Sequence, residues 1–136
     1  MFALTGNEEV VLVRQYKHGV KELVLELPAG VISAEDASPQ AAARRELLEE
    51  TGFEASDWEA LGTLNVSSAK ATTRAYPFLA TDAQKVAKPR PDENEQIELV
   101  LSTIPGLLDL ISTGQIGDSN SIACCLLALR AMDRGV

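Results

Sequence analysis

The sequence predicts a mixed α/β fold in which helices pack on a largely antiparallel or mixed sheet. Two strand-like segments form a hairpin near the start, a run of strong helix formers follows, and strand-like and helical segments complete the chain. With 136 residues, the chain is long enough for one hydrophobic core. We therefore expect a single domain over residues 1–136.

The predicted hairpin rests on residue type and alternation. Val10–Tyr16 is rich in β-branched residues, and Glu22–Leu27 alternates charged and apolar side chains. Lys17–Lys21 contains a glycine and supplies the turn between them. Pro28 then ends strand pairing and starts a loop, because it has no N–H to donate.

A helix is predicted between Ser38 and Gly52. Ser38 is a good N-cap, and Pro39 suits the first helical position, where a missing N–H costs nothing. The run QAAARRELLEE contains strong helix formers, and Gly52 suits a left-handed C-cap. The apolar stripe of this helix is Ala42, Ala43 and Leu47.

Later elements follow from shorter patterns. Further strands are predicted at Trp58–Val66, Ala75–Thr81 and Gln96–Ser102. Pro77 indicates that the second of these is an edge or bulged strand. The polar segment 82–94 is predicted to be a loop, and helices are expected over Pro105–Ser112 and from Ser119 to about Met132.

The composition excludes several classes of protein. The net charge of −8 argues against nonspecific binding to nucleic acid or to an anionic membrane. No segment approaches the roughly 20 apolar residues that span a bilayer, and the first residues do not resemble a secretory signal. Cys124 and Cys125 are adjacent in an apolar stretch, so we expect reduced core residues in a cytoplasmic protein.

Three glutamates of the predicted helix lie where their charges are expected to destabilise it. Glu46, Glu49 and Glu50 share an arc of about 100° on the helix surface, so their charges repel and also oppose the helix dipole. Oxygen ligands of this kind are selected by Mg²⁺, which would neutralise them. A solvated acidic helix face is the alternative, and the surrounding residues favour the metal site.

Residues 30–53, GVISAEDASPQAAARRELLEETGF, resemble the signature of the Nudix hydrolases, G-x5-E-x7-R-E-U-x-E-E-x-G-U. The part REXXEEXG matches at every defined position, Phe53 takes the last apolar place, and LPAG precedes the segment. The resemblance implies a Nudix-like fold, a mixed β-sheet sandwiched between α-helices. It also implies a magnesium- or manganese-dependent hydrolase that cleaves the diphosphate bond of a nucleoside diphosphate linked to another moiety.

The front half of the signature departs from this pattern. The distance from Gly30 to Arg45 is one residue longer than the signature allows, so the family's first glutamate falls on Asp36 or Ala37, according to the end from which one counts. In the family this acidic residue pairs with the signature arginine. The resemblance therefore implies that Asp36, or Glu35, reaches Arg45 through a bulged loop, without a catalytic role.

Three segments are similar to the branch of ADP-ribose and other nucleoside-diphosphate-sugar pyrophosphatases. They are VRQYKHG, ELPAG and the acidic run DENE at residues 92–95. The metal ligands that this similarity implies are Glu46, Glu50, the backbone carbonyl of Ala29, Glu49 at a second or third ion, and Glu95. Glu93 would be the general base. For Glu93 and Glu95, a charged loop that keeps an edge strand soluble is the alternative.

The predicted site is completed by a few further assignments. The catalytic residues are Glu93, Glu49 and Arg45, and the substrate-binding residues are Arg14 and Arg74. For Arg14, a solvent-facing position at the end of a strand is an equal alternative, and for Arg74 a solvated loop charge is the favoured alternative. Tyr16 and Phe78 are expected in the core, and His18 in a turn.

The predicted ligands are two or three Mg²⁺ or Mn²⁺ ions and a small-molecule nucleoside diphosphate derivative, and a homodimer is compatible with the resemblance. Two other functions stay open: a non-catalytic nucleotide-sugar-sensing domain, and a house-cleaning pyrophosphatase for nucleoside triphosphates.

Overall fold

The structure is a computed structural model that describes residues 1–93 and 96–134. Within these residues, the strands are β1 Phe2–Thr5, β2 Glu9–Lys17, β3 Glu22–Glu26, β4 Phe53–Ala60, β5 Leu64–Asn65, β6 Arg74–Ala75, β7 Phe78–Lys85 and β8 Ile97–Thr103. The helices are α1 Pro39–Thr51, α2 Ile104–Ser112 and α3 Ser119–Ala131. The predicted mixed fold and the predicted N-terminal hairpin are confirmed.

The long strand β2 connects the two halves of the main sheet. Val13 pairs with Glu26 of β3 and also with Leu99 of β8, and a strand has only two edges, so β3 and β8 lie on opposite sides of β2. β1 pairs antiparallel with β2 and parallel with β7, and β7 pairs antiparallel with β4. The sheet is therefore mixed, and β5 and β6 form a separate two-stranded ribbon.

Alternation along the strands divides the core between the two faces of the sheet. On one face, the buried residues Phe2, Leu4, Val10, Leu12 and Leu79 cluster with Leu107 of α2 and Cys125 and Leu129 of α3. On the other face, Ala3, Val11 and Ala80 cluster with Leu47 of α1. Helices therefore cover both faces, which confirms the predicted sandwich.

Helix α1 has the ends that its sequence predicts. The Ser38 hydroxyl oxygen accepts a hydrogen bond from the N–H of Ala41 at 3.0 Å, and Pro39 occupies the first turn. Gly52 has a left-handed backbone, with φ of 75°, and its N–H donates to the carbonyl of Leu48 at 2.8 Å. These two caps fix which turns of the helix carry the acidic residues.

Strand β1 was not predicted from the sequence. It is only four residues long, and its pattern FALT has too few positions to show a period of two. Its hydrogen bonds come from β2 on one side and β7 on the other, so this strand depends on long-range pairing.

Two predicted strands are displaced. β4 starts at Phe53, five residues before the expected start, and β7 ends at Lys85, inside the segment predicted to be a loop. Pro77 lies just before β7, which is an interior strand rather than an edge strand. The expected bulge is present, since the register with β1 shifts before Ala83, where Asp82 has φ of 54°.

The expected core residues are confirmed except for Tyr16. Phe78 is buried, and Cys124 and Cys125 are buried free cysteines whose environment raises the pKa of Cys125 to about 12 through burial. Tyr16 is 47% exposed and packs edge-on against the ring of His18, so its prediction as a core residue is wrong.

Across residues 1–93 and 96–134, the structure contains no helix with the length and apolar character needed to cross a bilayer.

The C-cap of α1 provides a test of the fold. A Cβ at Gly52 would lie 2.0 Å from the carbonyl oxygen of Ala87, in addition to the left-handed backbone. We expect Gly52→Ala to lower the free energy of unfolding by at least about 1–2 kcal/mol. Gly19→Ala is the control, because a Cβ there meets no atom within 4 Å. Urea denaturation measures the free energy of unfolding of both variants. A Gly52→Ala protein as stable as the Gly19→Ala protein would contradict this role for Gly52.

Candidate active site

A groove of about 280 Å³ lies beside the C-terminal half of α1. The residues that line it are Gln15, Lys17, Ala29, Gly30, Val31, Glu46, Glu49, Glu50, Arg90, Pro91 and Asp92. All three helix glutamates and Ala29, which the sequence assigns to the metal site, thus face the same groove. The structure brings these four predicted residues together.

The loop after β3 lies directly against the acidic face of α1. A Cβ on Gly30 would come within 1.9 Å of the Glu46 carboxyl carbon, so only glycine allows Glu46 its present position. The N–H of Ala29 donates to a carboxylate oxygen of Glu50 at 3.1 Å. The LPAG segment therefore determines where two of the acidic side chains stand.

Arg45 holds the same region together through all five of its N–H donors. Nε and Nη2 bind the two carboxylate oxygens of Asp36 at 2.9 Å each, and Nη2 also donates to the carbonyl of Val31 at 3.2 Å. Nη1 binds one oxygen of Glu46 at 2.9 Å and one of Glu49 at 3.1 Å. These contacts are those of a positioning residue, and the catalytic role assigned to Arg45 stays a prediction.

The expected pairing of Asp36 with Arg45 is confirmed. The loop is one residue longer than the family pattern, and the bonds from the N–H and hydroxyl of Ser33 to Asp36 hold it in a tight turn. The Arg45 guanidinium, together with the Ser33 N–H, lowers the pKa of the Asp36 carboxyl well below its usual range. The pairing in turn raises the pKa of Arg45, chiefly through its bonds to Asp36.

The oxygen donors of the groove suit a hard divalent cation. In the described part of the chain, however, no three His, Cys, Asp or Glu side chains are arranged as an ion-binding cluster. Arg45 instead lies between an oxygen of Glu46 and an oxygen of Glu49. Binding an ion would therefore require the carboxylates of Glu46 and Glu49 to turn partly away from Arg45. The carboxylate oxygens themselves are ligands that suit the predicted Mg²⁺ or Mn²⁺. The metal ligands stay predictions.

Other predicted residues lie elsewhere. Arg14 pairs with Glu98 of β8 at 3.1 Å and does not line the groove. Arg74 lies on β6 and lines a second cavity of about 520 Å³, which shares Ala29, Gly30, Val31 and Glu46 with the groove. Glu93 is exposed in a turn next to the groove-lining Asp92. Glu95 falls outside the described residues, and its role as a ligand stays a prediction.

Three residues at or next to the groove were not predicted from the sequence: Gln15 and Lys17 of β2, and Glu26 of β3. Gln15 and Lys17 line the groove, and both contact Glu26 of β3. A signal was available, because Gln15 and Lys17 are two positions apart and so share one face of the strand. Arg14, which the sequence favoured, directly precedes Gln15 and therefore points to the other face of the strand.

The Asp36–Arg45 pair makes stability depend on acid pH. The pKa of Asp36 is lower in the folded protein than its ordinary 3.8, so the pair stabilises the fold fully above that value and loses its effect as the pH falls toward the folded pKa. We expect Asp36→Asn to lose less unfolding free energy than the wild type between about pH 5 and pH 2. Urea titrations at several pH values measure this. Asp57→Asn, on the exposed part of β4, is the control, and parallel pH profiles for Asp36→Asn and wild type would contradict the assignment.

Known proteins are similar to this chain along nearly its whole length. It is 30% identical over 135 residues to the ADP-ribose pyrophosphatase of Mycobacterium tuberculosis, covering 98% of this chain and 64% of that protein. The methanol dehydrogenase activator of Bacillus methanolicus is 29% identical, with 90% and 66% covered. The GDP-mannose pyrophosphatase of an Enterobacter species is 30% identical, with 85% and 64% covered. The chain thus spans less than two thirds of the length of these curated relatives.

A solved structure and a family model agree with these similarities. The crystal structure of an ADP compounds hydrolase superposes with a TM-score of 0.83 at 23% identity, covering 98% of this chain and 72% of that one, which shows a shared fold. The model of the NUDIX domain matches residues 1–107. The chain therefore belongs to the NUDIX domain family.

Proposed function

We propose that this protein hydrolyses the diphosphate bond of a nucleoside diphosphate linked to another moiety, ADP-ribose or a related sugar nucleotide, to a nucleoside monophosphate and a sugar phosphate. The observation that carries the proposal is the groove, where Glu46, Glu49 and Glu50 stand against the main chain of Ala29 and Gly30. Relatives named ADP-ribose pyrophosphatase and GDP-mannose pyrophosphatase support the substrate class.

The carboxylates would hold two or three Mg²⁺ or Mn²⁺ ions. Glu46, Glu50 and the Ala29 carbonyl are the proposed first ligands, Glu49 would bind a second or third ion, and Glu95 is a further proposed ligand. Bound there, a divalent ion neutralises phosphate charge and lowers the pKa of its water. The acidic face of α1, which costs stability through repulsion, then becomes favourable.

The chain's own residues supply positioning and proton transfer. Arg45 and Asp36 fix the helix against the loop, so that Glu46 and Glu49 start from defined positions. A carboxylate of the site, Glu93 or Glu49, accepts the proton of the attacking water. In the described residues the single histidine, His18, packs against Tyr16 in the hairpin and does not line the groove, so carboxylates are the available bases.

Measured rates of hydrolysis distinguish a sugar-nucleotide pyrophosphatase from a nucleoside triphosphate pyrophosphatase and from a non-catalytic sensing domain. Purified protein with Mg²⁺ is offered ADP-ribose, GDP-mannose and a set of nucleoside triphosphates, and nucleoside monophosphate is measured by chromatography. We expect the sugar nucleotides to be hydrolysed faster than the triphosphates. The reverse preference would favour the house-cleaning function, and calorimetric binding of a sugar nucleotide without any product would favour a sensing domain.

Glu50→Gln tests the metal assignment directly. Glu50 is 4% exposed, and glutamine keeps its size and one acceptor oxygen for the N–H of Ala29 while removing the charge. We expect kcat/KM to fall on the order of a hundredfold or more, as for other losses at metal sites. Glu54→Gln, on the exposed side of β4, removes the same charge outside the groove and should retain turnover. Full turnover by a folded Glu50→Gln protein would refute the assignment.

A further inference from the structure

The second cavity adjoins the groove. Its volume of about 520 Å³ lies in the range of small-molecule sites, roughly 300–1,000 Å³. Ala29, Gly30, Val31 and Glu46 line both spaces, so a ligand whose phosphates lie in the groove can extend into the cavity. The two spaces together therefore suit a ligand with two chemically different parts.

Much of the cavity wall is apolar. The buried Ala42 and Ala43 of α1 line its inner side. Other large apolar side chains that line it are at least 40% exposed, and they are Val31, Ile32, Val66 and Tyr76. Exposed apolar side chains gathered around one concave surface are typical of a binding site, because they lose contact with water when a ligand covers them.

Two of the polar side chains in the cavity are already bound to the main chain. A carboxylate oxygen of Asp118 accepts a hydrogen bond from the N–H of Ser121 at 2.8 Å, and the Ser121 hydroxyl accepts one from the N–H of Leu27 at 3.0 Å. A sugar would place several hydroxyls against the apolar wall, where each one without a partner costs free energy. A nucleobase has two apolar faces and a polar edge, so this wall favours a base.

Tyr76 provides a ring on an anchored segment. It lies between β6 and the buried Pro77, whose carbonyl oxygen accepts a hydrogen bond from the N–H of Leu61 at 2.9 Å. A half-exposed aromatic ring in a fixed place is a surface on which a base can stack. Asn120, exposed in the first turn of α3, lines the same cavity, and its amide can both donate and accept hydrogen bonds at the edge of a base.

We propose that the second cavity holds the base of the substrate's nucleoside, with Tyr76 stacked on the base and Asn120 at its polar edge. The proposal rests on the proposed function, because the base belongs to the substrate whose diphosphate lies in the groove. It places the nucleoside beside the ribbon of β5 and β6 and the other moiety outside this cavity. Tyr76 and Asn120 are then residues that determine specificity.

Calorimetry with product-like phosphates tests this proposal without depending on turnover. The four ribonucleoside 5′-monophosphates and ribose 5-phosphate share the phosphate and the ribose, and only the nucleotides carry a base. In the presence of Mg²⁺, we expect wild type to bind its preferred nucleotide about tenfold or more tightly than ribose 5-phosphate, as expected for one stacked base. Tyr76→Ser should weaken binding of that nucleotide by about the same factor and leave ribose 5-phosphate unchanged.

Two matched variants are the controls. Tyr76→Phe keeps the ring and should bind the nucleotide as wild type does. Tyr16→Ser removes a tyrosine of similar exposure that lines neither the groove nor the second cavity, and it should also bind as wild type. With a sugar nucleotide, Tyr76→Ser should raise KM with a smaller change in kcat, because stacking is present before and during the reaction. Thermal unfolding establishes that each variant is folded.

Two calorimetric results would overturn the proposal: wild type that binds ribose 5-phosphate as tightly as every nucleotide, or a folded Tyr76→Ser that weakens both kinds of ligand equally. The second result would place the sugar, not the base, against Tyr76. Saturation-transfer NMR on wild type needs no variant; stronger saturation of the base protons than of the ribose protons is expected, and the reverse order would contradict the proposal. Absence of hydrolysis with intact, Tyr76-dependent nucleotide binding would refute the proposed function alone.

Discussion

The contact between the loop after β3 and the acidic face of α1 is the constraint on which the site depends. The missing Cβ of Gly30 leaves room for the Glu46 carboxyl, and the N–H of Ala29 binds Glu50. Arg45 ties the same loop to the helix through Asp36 and the carbonyl of Val31. Three carboxylates that would otherwise repel one another are thereby held in one place.

The rest of the fold positions this contact. The hairpin of β2 and β3 is anchored in the middle of the sheet, with β8 along the other edge of β2, so the loop that begins at Leu27 starts from a fixed point. Leu47 packs α1 onto the face of the sheet that carries Val11. Because the loop and α1 are both held on the same sheet, the contact between them keeps a defined geometry.

Much of this arrangement was predictable because it is local. The caps at Ser38 and Gly52 act within one turn of the helix, and the spacing of the three glutamates follows from helical geometry alone. The pairing of Asp36 with Arg45 was expected from the resemblance to a family signature. The loop that carries Asp36 accommodates its extra residue while the ion pair forms.

The features that were not predicted, strand β1 and the burial of Glu26, depend on strand pairing between segments distant in sequence. β1 is stabilised by β2 and β7, and the buried carboxylate of Glu26 is recognisable only once β3 is registered against β2. A charged residue in an alternating strand is usually exposed, so nothing local marks Glu26 as buried. Arg14 pairs with Glu98 of β8 on the face of β2 opposite to Gln15, and its substrate-binding role stays a prediction.

The proposed binding of divalent cations in the acidic groove is tested most directly by a crystal structure with manganese. The anomalous signal of Mn²⁺ identifies the ion independently of the refined coordinates. We expect anomalous peaks in contact with the carboxylates of Glu46 and Glu50, with Glu46 turned away from Arg45. Well-ordered crystals that contain manganese, with Glu46 and Glu49 still bound to Arg45 and no peak in the groove, would contradict the account.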